Sequence, residues 1–140
     1  LMGTAPSAVD CIVLAGLRAH FLFDPAPDAA LRPYYPRTVA WAEQSADHWD
    51  GSGEVEWTDF AQFILSEMKE TYAPFALGNR SALSNGGRAF KIGMYGEEVS
   101  YLARPYIEQS RQMVADHAAS LGDEARTWLE GVGLDEVFSS

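Results

Sequence analysis

Among 140 residues there is one cysteine, Cys11. An internal disulfide framework is therefore excluded, and a packed core must hold the fold. Sparse cysteine suits a reducing compartment, and the expected location is the cytoplasm. No run approaches the ~20 apolar residues that a membrane-spanning helix requires. Residues 1–4 lack the charged lead and apolar stretch of a secretory signal. Basic residues are also few, 10 Lys and Arg against 20 Asp and Glu, for a net charge of -10. Such a chain repels phosphate backbones and anionic lipid. Its cations are scattered from Arg18 to Arg126 and form no stripe suited to nucleic acid. Neither nucleic acid nor membrane is expected as a partner, and the acidity reads as a solubility feature. The usual signatures of catalysis are missing too. His20, His48 and His117 lie far apart without metal-ligand spacing. There is no nucleophile elbow, and Gly86-Gly87 reads as a helix stop, not a phosphate loop. No internal repeat is present.

What is there is hydrocarbon: 47% of the residues are apolar, enough for a core in one domain without metal or disulfides. Ser7 reads as an N-cap, with Asp10 three residues on, placed to answer the cap's own N–H. Val9, Ile12, Val13, Leu14, Leu17 and Phe21 follow around much of a helix that should be buried on most sides and end near Phe23, before Asp24-Pro25-Ala26-Pro27. A second helix is predicted over 35–45, with Pro36 in its first turn and Val39, Trp41 and Ala42 inward. Residues 47–53 read as a loop.

The longest helix is predicted over 58–82, carrying Phe60, Phe63, Ile64, Leu65, Met68, Tyr72, Phe75 and Leu77. Pro74 should kink it, and Asn85-Gly86-Gly87 should end it. The period then switches to two: 89–94 and 98–102 alternate apolar and polar around Tyr95-Gly96-Glu97, which predicts a β-hairpin over about 89–102. Pro105 should open a helix to Ser120, with Ile107, Met113, Val114 and His117 as inner positions. A last helix over 123–130 holds Trp128 and Leu129, and Leu134, Val137 and Phe138 fall in a tail.

The opening residues, Pro6-Ser7-Ala8-Val9-Asp10 before an apolar helix, resemble the Ser/Thr-x-x-Asp capping box that begins the central helix of the glutathione S-transferase C-terminal domain. Tyr35-Pro36-Arg37-Thr38-Val39-Ala40-Trp41 looks like that family's next helix, and Phe23-Asp24-Pro25-Ala26-Pro27 is similar to bacterial members. The resemblance covers about residues 3–45. From 57 onward, Tyr72-Ala73-Pro74-Phe75, then Asn79, a two-stranded insert and a final helix resemble the extension of some bacterial transferase-like proteins. In the family, glutathione is bound and its thiol activated by an N-terminal thioredoxin-like domain. No βαβ pattern precedes Ser7, so no family catalytic residue maps onto this chain. Ser7 and Asp10 carry over as folding residues only.

Several residues invite sharper readings. With Gly53 at the sixth position of a calcium loop over 48–59, Asp50 falls third, Ser52 fifth and Asp59 twelfth. His48 then falls first, where imidazole is a poor calcium ligand. The plain reading is a loop in which Thr58 or Asp59 caps the next helix. Cys11 sits where a helix favours thiolate, yet on a buried helix it would be a small apolar filler. His20 reads as a hydrogen-bonded packing residue. Most aromatics should be core, with Tyr34 and Tyr35 available to line a pocket or a domain contact.

The expectation is an all-α bundle resembling the glutathione S-transferase C-terminal domain, with one hairpin insert. Residues 1–140 form a single helical domain, in which 1–45 carry the best match and 57–140 an extension. The chain would be a helical portion of a larger protein, supplying scaffold and part of an apolar substrate pocket or subunit interface, and would be inactive alone. No catalytic, cofactor-binding or metal residue is expected in it. Glutathione would enter with the thioredoxin-like domain, and that domain and a second copy of the chain are the expected partners. The alternatives are a non-enzymatic helical interaction module and a calcium-responsive protein using loop 48–59.

Overall fold

A computed structural model describes residues 1–50 and 52–139, and the backbone alone of Ala46 and His48. It is mostly helical, with one two-stranded antiparallel sheet among the described residues. The chain folds as two compact units, Leu1–Phe63 and Ile64–Ser140.

In the first unit, α1 (Ala8–Leu17) starts behind Ser7 and runs on through a π-helical turn, Arg18–Leu22. The helix was expected to be buried on most sides, but only Asp10 and Leu14 are buried, while Ile12 is 73% exposed and Cys11 is exposed as well. Apolar residues circle the helix, yet Asp10 and Leu14, four apart on one face, are its buried positions, Val9, Val13 and Leu17 are half-buried, and Ala8, Ile12 and Ala15 are exposed. Asp24-Pro25-Ala26-Pro27, expected to break the chain, instead starts α2 (Pro25–Leu31). The Asp24 carboxylate accepts from the Ala26 N–H at 3.1 Å. Prolines are tolerated there because first-turn N–H groups have no partner within a helix. Then α3 (Pro36–Gln44) buries Val39 and Ala42 and tightens into a 3-10 turn, Ser45–His48.

The following loop is tied to the start of the chain. Thr4 and Ala5 N–H both donate to the Glu54 carbonyl at 3.0 Å, and Glu56 N–H donates to the Met2 carbonyl at 3.0 Å. Gly3, at φ +97, closes against it, where a Cβ would lie 2.5 Å from the Glu54 carbonyl oxygen. Thr58 Oγ1 then accepts from Ala61 N–H at 3.2 Å, the cap that begins α4 (Asp59–Glu67).

In the second unit, the end of α4 passes through a π-helical turn, Met68–Tyr72, into α5 (Ala73–Ser84). This is how the chain absorbs Pro74. Its nitrogen cannot donate and its ring crowds the carbonyl four residues back, so the turn before it widens. The hairpin pairs β1 (Ala89–Met94) with β2 (Glu97–Leu102), Phe90 facing Tyr101 and Ile92 facing Val99. Tyr95 and Gly96, at φ +50 and +80, turn it, the handedness that two-residue hairpin loops favour. The alternation directs Phe90, Ile92, Met94, Val99 and Tyr101 to one half-buried face. Phe75 meets Tyr101 edge-on at 4.9 Å between ring centroids.

Helices α6 (Pro105–Ser120), α7 (Asp123–Val132) and α8 (Asp135–Phe138) complete the unit. Its core is Ala76, Leu134 and Val137, so the tail of the expectation is a short helix at the centre of packing. The inner face of α6 also differs from the one predicted. Met113 is 67% exposed, and Val114 and His117 are exposed, whereas Arg111 and Ala115 are buried. The true stripe, Ile107, Arg111, Ala115, Ala118, contains a cation, which hides it from a reading of apolar spacing. Trp128 is exposed on α7. Nor do the aromatics supply the buried positions, which among the described residues belong to alanine, leucine and valine and to three polar side chains.

Candidate functional site

The clearest concavity of the first unit is a groove of about 320 Å³, lined by Leu17, Leu22, Leu31, Tyr35, Thr38, Val39 and Ala42. Three elements form its walls: the α1 helix with its π turn, α2, and α3. The spacing of α3 explains its part. Tyr35, Thr38, Val39 and Ala42 sit at i, i+3, i+4 and i+7, one face of a helix. Pro36, between them, fixes the first turn from which that face projects.

Arginine hydrogen bonds join the elements that form the walls. Arg18 donates to the Glu43 carbonyl at 3.1 Å, linking the π turn to α3. The Arg32 guanidinium donates to Asp28 and to Glu43, each at 2.8 Å, linking the end of α2 to α3. These hydrogen bonds, Glu43 first and Asp28 second, hold the Arg32 guanidinium even more firmly protonated than an ordinary arginine. The pairs are exposed and open to screening by salt. Inside, the lining offers only the Tyr35 and Thr38 hydroxyls as polar side-chain groups. Such a lining suits an apolar molecule, with the Tyr35 and Thr38 hydroxyls as its polar contacts. Tyr35 was singled out from sequence as a possible pocket residue. Arg18, Arg32 and Glu43 were not, because their roles depend on a fold that brings residues 11 and 25 positions apart together.

Ser7 and Asp10 form the reciprocal capping box expected of them. Asp10 N–H donates to Ser7 Oγ at 3.2 Å and Ser7 N–H donates to Asp10 Oδ2 at 3.0 Å. The Ser7 hydroxyl donates to the same oxygen at 2.6 Å, and the Leu1 amino group lies 2.6 Å from Oδ1. Burial alone would raise the Asp10 pKa. The hydrogen bonds it accepts, two of them from Ser7, outweigh burial and hold it below the usual carboxylate value. The box is a folding device and lines no cavity described here.

The other singled-out residues are not brought together. His20 was expected as a packing residue and His117 as an inner one, but both are exposed. Cys11, expected as buried filler, is exposed. In the loop read against the calcium pattern, Asp50 accepts from Ser52 N–H and Oγ at 2.9 and 2.5 Å, and Asp59 lies in the first turn of α4. The His48 side chain and Gly51 lie outside the described residues. Among the described residues no group of three His, Cys, Asp or Glu is placed to hold a metal ion. Nor, among the described residues, is any helix long and apolar enough to cross a membrane.

The second unit carries its buried polar groups differently. Asn79 bridges both main-chain groups of Arg104, accepting from its N–H at 2.8 Å and donating to its carbonyl at 3.2 Å. Buried Arg111 pairs with Glu108 at 2.7 Å and donates to the carbonyls of Val137 and Ser139 at 2.7 and 3.0 Å. The Arg111 hydrogen bond holds the Glu108 carboxyl below its ordinary value.

No family model, curated protein or solved structure matches the chain.

Proposed function

We propose that the chain is the C-terminal helical portion of a glutathione S-transferase-like protein, serving as scaffold and as an apolar wall for a substrate, while the thiol chemistry belongs to a thioredoxin-like domain. The observation that carries the reading is the combination, within one unit, of the complete Ser7–Asp10 box and the hydrocarbon-lined groove formed by α1 with its π turn, α2 and α3. The division of labour follows from what the groove contains. A free thiol with a pKa near 8.5 needs a cation, a helix N-terminus or a strong donor to become a nucleophile at neutral pH. The groove offers two hydroxyls and hydrocarbon. It supplies an apolar wall for an electrophile, and the cation or helix N-terminus that lowers a thiol pKa is left to the other domain. The exposed Ile12 and Phe23 offer apolar contact area to that domain or to a second copy of the chain.

A neutral apolar fluorophore such as N-phenyl-1-naphthylamine tests the groove. Saturable one-to-one binding is expected, with no conjugation of glutathione above the uncatalysed rate. Thr38→Trp, which adds bulk at an exposed lining position, should abolish the binding and leave the fold intact. Equal binding by parent and variant defeats the groove assignment. A coding sequence for a thioredoxin-like βαβ pattern directly before residue 1 is the expected genomic finding, and its absence defeats the transferase assignment separately.

A further inference from the structure

The second unit has a cavity of a different chemical character. It measures about 280 Å³ and is lined by Phe75, Ser100, Tyr101, Leu102, Arg104 and Ile107. Phe75 and Tyr101 supply a fixed aromatic wall, since they pack edge-to-face at 4.9 Å and Tyr101 also stacks on Phe90 at 5.9 Å. Leu102 and Ile107 add hydrocarbon, and Ser100 completes the strand side of the lining. Arg104 is the one charged residue of the lining. Its main chain is clamped through both N–H and carbonyl by Asn79, which is 0% exposed. Its guanidinium has no hydrogen-bond or ion-pair partner among the described residues, whereas Arg18, Arg32, Arg111 and Arg126 are all engaged. An uncommitted guanidinium on a rigidly held backbone is a fork suited to a carboxylate. The aromatic wall suits a flat ring. The volume falls just below that of drug-sized sites, which suits a single ring.

We propose that this cavity binds a small aromatic monocarboxylate, its ring against Phe75 and Tyr101 and its carboxylate on Arg104. The site is independent of the groove in the first unit.

Benzoate and its neutral isostere benzamide serve as probes, titrated into the full chain and followed by backbone amide chemical shifts. Benzoate is expected to give saturable shifts centred on residues 75, 100–104 and 107. Benzamide should bind about tenfold more weakly, for want of the charge-assisted pair. Arg104→Met should lose about tenfold of the benzoate affinity and none of the benzamide affinity. That variant should fold, because the Asn79 clamp holds main-chain atoms that it keeps. Arg37→Met, outside the lining, should match the parent. Shifts that do not saturate, shifts centred on the groove of the first unit, or benzoate binding unchanged by Arg104→Met would each overturn the assignment.

Discussion

Asn79 offers the sharpest test of how the second unit is held together. Its side chain is fully buried and makes two hydrogen bonds to Arg104, in the manner of a neighbouring strand. Asn79→Ala removes both and leaves a void. The two ends of the broken contact are not equal. The Arg104 carbonyl still accepts from Ile107 N–H at 3.2 Å, so only the Arg104 N–H loses its partner. An orphaned donor costs about 1–3 kcal/mol and the void adds to that, giving about 2–4 kcal/mol. Asn79→Asp keeps the shape and leaves no void, yet places a carboxylate oxygen against the Arg104 carbonyl. A buried charge without a partner costs about 3–5 kcal/mol. The two variants therefore separate by pH. Burial and the facing carbonyl raise the pKa of the new Asp above its unfolded value of about 3.9. The penalty is full above the raised folded pKa, shrinks as pH falls through it, and is gone below about 3.9, where the neutral acid donates to the carbonyl. Urea denaturation followed by far-UV circular dichroism from pH 8 to 4 reads both effects. The Asn79→Asp deficit should shrink with falling pH while the Asn79→Ala deficit stays level. A pH-independent Asn79→Asp deficit, or an Asn79→Ala cost below about 1 kcal/mol, would refute the two-bond clamp.

Other substitutions probe the remaining contacts. Ser7→Ala and Asp10→Ala should each cost about 1 kcal/mol in denaturant titrations, and the double variant less than the sum, since the two form one motif. Gly78→Ala sets helix propensity, worth about 1 kcal/mol in favour of Ala, against a new Cβ lying 2.6 Å from the Phe90 ring and 2.9 Å from Ile92. Overpacking of about 1–3 kcal/mol should win, and a stabilised variant would mean the hairpin yields freely. Glu108, whose folded pKa is depressed by Arg111, should contribute stability that is full above its ordinary value near 4.5 and is lost as pH falls through the lowered folded value. Glu108→Gln should therefore flatten the acid limb of the stability profile, and an unchanged limb would sink the assignment. Cys11, being exposed, should react with Ellman's reagent in the folded chain, and protection until unfolding would contradict the packing described for α1.

Local signals carried most of the secondary structure. The switch to period two at 89–102, the turn at Tyr95-Gly96 and the start of α6 at Pro105 all stand as read. So does the box at Ser7 and Asp10, because capping involves residues only three apart. What escaped the reading depended on partners distant in sequence or on one residue filling two roles. Asp24-Pro25 signals both the end of one helix and the start of another, and only the stop was taken. The inner face of α6 was misread because Arg111 is buried by carbonyls 26 and 28 residues away. The groove was legible only in part: Val39, Ala42 and Tyr35 stood out by spacing or type, while the Arg32–Glu43 link across 11 residues did not.

The buried polar side chains share a logic that accounts for these misses. Asp10, Asn79 and Arg111 are the buried polar or charged residues described. Each ends on main-chain atoms: Ser7 N–H for Asp10, both Arg104 groups for Asn79, and the Val137 and Ser139 carbonyls for Arg111. Each of these segments is a place where the chain enters or leaves a helix, where backbone groups lack regular partners. Burying a polar side chain is unfavourable unless it is satisfied, and a buried helix end is unfavourable for the same reason. Joining the two removes both penalties at once and specifies which junction meets which helix. Apolar replacements at these three positions would leave the junctions unsatisfied, so a core richer in hydrocarbon would hold the ends less well. The groove and the cavity beside Arg104 follow the opposite rule, for Tyr35, Thr38, Ser100 and Arg104 stand at exposed positions with room for another molecule. That contrast separates residues that build this fold from residues free to bind.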